Sequence, residues 1–170
     1  SNEKSFRPKR TFFIDSENNV KQLLVGFENL NPDDVIVVFH RGCFSKECKA
    51  KLESCRAKVE WINCVSPKTK NSMDFQIVSE FSIRLASNSF DHGYIVSCDK
   101  GYLAAVNYLA NAPQGKSHVI SLASSINEAI TGNISSYTHF LEEAKTPDDI
   151  REYFFQPFCQ RCTDARKFEE

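Results

Sequence analysis

Apolar and β-branched residues gather along this chain in short runs, unbroken at 11–14 and 35–39 and interrupted by polar residues or glycine at 59–65, 93–97 and 119–123. Runs without internal polar positions predict strands buried on both faces, as in a parallel sheet. Between them the period lengthens. Val20, Leu23, Leu24 and Phe27 recur at the i, i+3, i+4, i+7 spacing of an amphipathic helix over 19–28. Ser45 caps a second predicted helix reaching about residue 57, and Ser72 starts a third reaching about 87, with Phe75, Val78, Phe81, Ser82 and Leu85 on one stripe. A fourth covers 102–109, and two short helical stretches follow near 137–145 and 147–155. Turns are marked by Asn31-Pro32-Asp33-Asp34, by Gly42 and by the polar loop 66–71.

Alternating strands and helices predict an α/β fold, a three-layer α/β/α sandwich around a mostly parallel sheet of about five strands, with additional C-terminal helices. The predicted organisation is a basic N-terminal segment over 1–10, one domain over 11–155 and a tail over 156–170 carrying Cys159-Gln160-Arg161-Cys162. One CxxC lacks the second ligand pair that a structural zinc site requires, so these two read as free thiols.

Composition narrows the picture little: 41% hydrophobic and 25% charged residues with a net charge of −1 are ordinary for a globular domain of 170 residues. Seven cysteines, an odd number, with Cys64 inside an apolar run, point to a reducing, intracellular compartment, cytoplasm or nucleus. No run approaches the ~18 apolar residues of a membrane span. A start at Ser1-Asn2 without Met suggests a fragment of a larger parent. Basic residues cluster at Lys4, Arg7, Lys9 and Arg10, at Lys46, Lys49, Lys51, Arg56 and Lys58, and at Lys68 and Lys70; the plain reading of each cluster is a solvated face.

Candidate chemistry lies in the acids. Asp15 ends the first predicted strand, Asp74 falls in the first turn of the helix after the third, and Asp99 sits two residues beyond Ser97 at the end of the fourth. Singly, each suits a helix cap, a favourable helix-dipole position or a turn. Together they project from the carboxyl edge of one parallel sheet, where α/β folds place their reactive groups. Converging carboxylates repel one another, and a divalent cation with all-oxygen ligation, Mg²⁺ or Mn²⁺, resolves the conflict. Such an ion can activate water against a phosphodiester. Glu17 and Asn18 belong to the turn after Asp15 and can face the site. Glu80, six residues beyond Asp74, is ~9 Å further along an ideal helix and about 120° around it, suited to a second ion, a bridging water or solvent. Asp91, at the opposite end of the fourth strand, reads as structural.

At these residues the sequence resembles the PIN-like nuclease superfamily, most closely its NYN-type branch. The resemblance rests on Phe12-Phe13-Ile14-Asp15-Ser16-Glu17-Asn18-Asn19, on Lys70-Asn71-Ser72-Met73-Asp74 and on Ser97-Cys98-Asp99-Lys100-Gly101-Tyr102. It implies metal-dependent, usually endonucleolytic, cleavage of RNA. Asp15, Asp74 and Asp99 would be metal ligands, Glu80 a supporting acid and Asn18 a polar site residue. Lys68, Lys70 and Lys100 are expected to meet substrate phosphates, and Ser97 to orient Asp99 or a water. Tyr102 and Trp61 can stack on bases, although Trp61 fits core packing better. Where many members carry a further acid, this chain has Gly101, which leaves open a non-catalytic module binding RNA or a protein partner, or forming a homodimer. A phosphoacceptor receiver domain shares the alternating pattern but needs an acid at the end of the third strand, where Cys64-Val65-Ser66 stands.

Overall fold

A computed structural model of the protein describes residues 7–132. Its five strands are β1 (Arg10–Asp15), β2 (Val35–His40), β3 (Lys58–Asn63), β4 (His92–Val96) and β5 (Val119–Ala123). They form one sheet in the order β3-β2-β1-β4-β5, and every pairing is parallel. The helices are α1 (Val20–Leu23), α2 (Lys46–Ser54), α3 (Ser72–Ala86), α4 (Leu103–Asn111) and α5 (Ile126–Thr131), with 3₁₀ turns at Phe27–Asn29 and Lys100–Tyr102. The expected α/β fold is therefore present. The helices expected near 137–145 and 147–155 and the CxxC tail lie outside the described residues.

Alternation along β1 builds both cores. Phe12 and Ile14 face Leu23, Leu24, Leu52 and Ile126, so α1, α2 and α5 cover one side of the sheet. Phe13 points the other way, its ring 4.8 Å from Phe81 of α3 and 6.1 Å from Phe90. Each such buried side chain contributes roughly 1.5–3 kcal/mol. Gly93 on β4 keeps this second core closed, because a Cβ there would stand 2.5 Å from Phe90 and 2.7 Å from Phe81.

Three elements differ from the sequence expectation. The helix expected over 19–28 stops at Leu23 and resumes as a 3₁₀ turn, because Gly26 adopts φ +95° where a Cβ would lie 2.7 Å from Asn127 of α5. That close approach sets the packing of α5, which the sequence reading missed; its signal was Ser125, whose hydroxyl accepts from the Glu128 N–H at 3.0 Å. On α3 the buried stripe is Met73, Ile77, Phe81 and Leu85, and Phe75 is exposed. The expected stripe was placed around Phe75 and Val78, whereas the helix turns its 73-77-81-85 row to the sheet.

The basic N-terminal cluster also divides. Arg10 belongs to β1 and grips Asp34 through Nε and Nη2 at 2.8 and 2.7 Å. The Lys9 N–H donates to Asp91 at 2.8 Å, which gives Asp91 a structural contact at the end of the sheet away from the clustered acids.

Candidate metal centre

Strand order reverses direction between β1 and β4, and a crevice at such a switch point is where α/β sheets bind ligands. Asp15, the last residue of β1, is 1% exposed at this point. A buried carboxylate requires donors, and the fold supplies four. Its Oδ2 accepts from Asn18 Nδ2 at 2.7 Å, Ser97 Oγ at 2.9 Å and the Tyr102 hydroxyl at 3.2 Å. Its Oδ1 accepts from the Glu17 N–H at 3.2 Å. Asn18 also donates to Ser97 Oγ at 2.9 Å, tying the turn after β1 to the end of β4.

The loop leading into α3 carries Asp74 to the same place. Asn71 takes the left-handed conformation at φ 57° immediately before α3, and Asp74 occupies the first helical turn. Tyr102 bridges the two acids, its hydroxyl 2.9 Å from Asp74 Oδ1 and 3.2 Å from Asp15 Oδ2. Burial raises the Asp74 carboxyl above the ordinary carboxylate range, and the nearby Asp15 and Asp99 push the same way against the Tyr102 hydrogen bond and Arg41. Burial, followed by the two carboxylates, drives the Tyr102 pKa far upward, so this phenol remains a donor.

Glu17 completes the group. Asp15, Glu17 and Asp74 each offer a carboxylate oxygen, and these atoms all lie within 4.8 Å of one another. Arg41, just beyond β2, pairs its Nη2 with Glu17 Oε1. It also donates to the Pro67 carbonyl at 2.6 Å and to Ser72 Oγ at 3.5 Å, joining the loops after β1, β2 and β3. Three carboxylates at this spacing match the oxygen–oxygen spans around a hard divalent cation, whose bonds run about 2.0–2.6 Å. The donor set therefore fits such an ion.

The remaining candidate residues are placed variously. Asp99 is exposed and lies outside the three-acid group; its Oδ1 accepts from the Gly101 N–H at 2.8 Å and its own N–H donates to Ser97 Oγ at 3.0 Å. A Cβ at Gly101 would stand 3.0 Å from that carboxylate, so a larger residue there would press on Asp99. Glu80 is held away from the group by Arg84, at 2.9 Å, and Arg84 also reaches Glu60 of β3 at 2.5 Å. That triad ties α3 to the edge strand and gives Glu80 a structural partner. Lys68 and Lys70 are exposed on the loop that Arg41 clasps, and Lys100 is half-buried beside Asp99.

Glu17 and Tyr102 were visible in the sequence as neighbours of the site, Tyr102 only as a stacking residue. Arg41 carried no signal, because a lone arginine after a strand has no distinctive spacing. Trp61 departs from its expected core position: β3 is the sheet's edge strand, and Trp61 is 37% exposed there.

A family model described as PIN7, a PIN domain, matches residues 9–119. The chain belongs to the PIN-domain family. No curated protein and no solved structure matches it significantly. PIN domains are generally metal-dependent nucleases, and the acids of this PIN domain fit the divalent ion that such chemistry uses.

The bridging hydroxyl gives a direct test of how the acids are held together. Tyr102→Phe deletes the donor shared by Asp15 and Asp74 while keeping the ring. A hydrogen bond to a charged group is worth roughly 1.5–3 kcal/mol, and urea denaturation in EDTA should show a loss of that order. An unchanged midpoint would mean that the hydroxyl does not offset the repulsion between the acids.

Proposed function

We propose that this PIN domain is a Mg²⁺- or Mn²⁺-dependent ribonuclease of the NYN type, cutting RNA endonucleolytically. The observation that carries the reading is the group of Asp15, Glu17 and Asp74, with carboxylate oxygens within 4.8 Å of one another at the switch point of the sheet. Asp15, Asp74 and Glu17 would hold the ion, and Asp99 would contribute from the rim. A bound divalent ion supplies activation of water and neutralisation of charge at the scissile phosphate. Ser97 and Asn18 fix the Asp15 carboxylate, Tyr102 holds Asp74 against it, and Lys68, Lys70 and Lys100 draw in the phosphate backbone.

One observation favours a second reading, a PIN domain that binds RNA or a protein partner without cutting: Gly101 stands where many relatives of the resembled type carry a further acid. Incubating labelled single-stranded RNA with the protein and Mn²⁺ separates the two. Internal cleavage products that vanish in EDTA support the nuclease. Retained binding without products, at any tested level of Mn²⁺ or Mg²⁺, establishes the binding module instead. Among the described residues no helix is long and apolar enough to cross a membrane.

A further inference from the structure

A second group of side chains lies on the outermost strand of the sheet and takes no part in holding the acids. β3 leaves Trp61 on the outermost strand, where more than a third of its surface meets solvent. Two rings brace it from the loop after β2 and from the end of that strand: Phe44 at 5.0 Å with planes at 82°, and His40 at 6.0 Å with planes at 73°. The Gly42 N–H donates to His40 Nδ1 at 3.0 Å and fixes the imidazole. The braces give a large aromatic side chain a set orientation at low entropic cost, although the edge strand does not bury it.

Position connects this group to the acids. Trp61 pairs in register with Val38, and Val38 with Ile14, so Trp61 lies one residue short of the level of Asp15 and on the opposite face of the sheet. An RNA strand crossing the carboxyl ends of β1–β3 would be needed to meet both. Two interstrand steps of ~4.8 Å put its backbone ~10 Å from that of Asp15. Arg41, which reaches into the acid group through Glu17, follows His40 directly in the chain. Lys46, exposed at the start of α2, lies just beyond Phe44. Cations next to an exposed, braced aromatic make the pairing by which proteins hold single-stranded nucleic acid, with phosphates on charge and base faces on rings.

We infer that Trp61, braced by His40 and Phe44, is a stacking subsite for an unpaired nucleobase, one that selects single-stranded RNA for the acid centre. This rests on the nuclease reading for its substrate but not on cleavage. In a duplex the base faces are already stacked on one another, so the subsite discriminates against double-stranded RNA.

Trp61 is the chain's single tryptophan, so its fluorescence reports the subsite without any mutation. The whole chain, in EDTA to prevent cutting, is titrated with a short single-stranded oligoribonucleotide, an abasic strand of equal length and the duplex. Stacking predicts quenching by the single strand, little by the abasic strand and weaker binding of the duplex. Trp61→Ala should weaken single-strand binding about tenfold while leaving the abasic strand unaffected, and Trp61→Phe should recover part of the loss. Equal affinity of wild type and Trp61→Ala with intact far-UV circular dichroism, binding without quenching, equal response to the abasic strand, or no RNA binding each overturns the subsite. Quenching by RNA that is never cut in Mn²⁺ leaves the subsite standing and removes the nuclease. Cleavage that is indifferent to Trp61 does the reverse.

Discussion

Asp15→Asn is expected to lower Mn²⁺-dependent RNA cleavage by about a thousandfold or more, because an amide removes the charge of the carboxylate at the centre of the acid group. The same substitution should leave stability nearly unchanged. The amide keeps one oxygen for the donors from Asn18, Ser97 and Tyr102, and relief of the repulsion from Asp74 offsets the long hydrogen bond from the Glu17 N–H that the other oxygen no longer accepts. Asp15→Ala is different: it strands several buried donors, at roughly 1–3 kcal/mol for each left unsatisfied, and should lower the urea midpoint as well as activity. Comparing the two variants separates chemistry from folding. Cleavage by Asp15→Asn at the wild-type rate would remove Asp15 from the metal centre.

The largest effect on stability is expected at the opposite end of β1. Asp34 is 2% exposed, accepts both Nε and Nη2 of Arg10, and takes a third hydrogen bond from the Asn31 N–H at 2.7 Å. Asp34→Ala leaves the Arg10 guanidinium partly buried without its counter-charge, which typically costs about 3–5 kcal/mol. It also opens the turn that launches β2. Guanidinium denaturation should show that loss, and pairing Asp34→Ala with Arg10→Met should recover part of it, since both charges are then gone. A loss under about 1 kcal/mol for the single variant would mean that the pair is solvated and the turn holds itself.

Arg10 also shows where reading the chain alone runs out. In sequence it closes a basic cluster that invites a solvated or RNA-facing reading. Its role depends on Asp34, 24 residues away, and that pairing leaves no local pattern. The strands were legible because burial on both faces forces unbroken apolar runs such as Phe12-Phe13-Ile14. Asp15 and Asp74 were legible because strand ends and helix starts fix where such acids project. The edge position of β3 was not read from the sequence, and the environment of Trp61 depends on it: strand order is set by crossovers, and the only local sign was that Lys58, Glu60 and Asn63 interrupt the apolar run. The short α1 was equally hidden, since nothing near Gly26 announces that Asn127 must approach it.

The hydrogen bonds around Asp15 have a consequence for the protein's synthesis. Its partners Asn18, Ser97 and Tyr102 include two that are 82 and 87 residues downstream, beyond α3 and β4. At ribosomal speeds that separation corresponds to on the order of ten seconds between the first carboxylate and the groups that anchor it. A nascent or prematurely terminated chain lacking the segment after β4 has the acid but no site. The group of acids therefore assembles only after β4 and the turn that follows it have closed on β1.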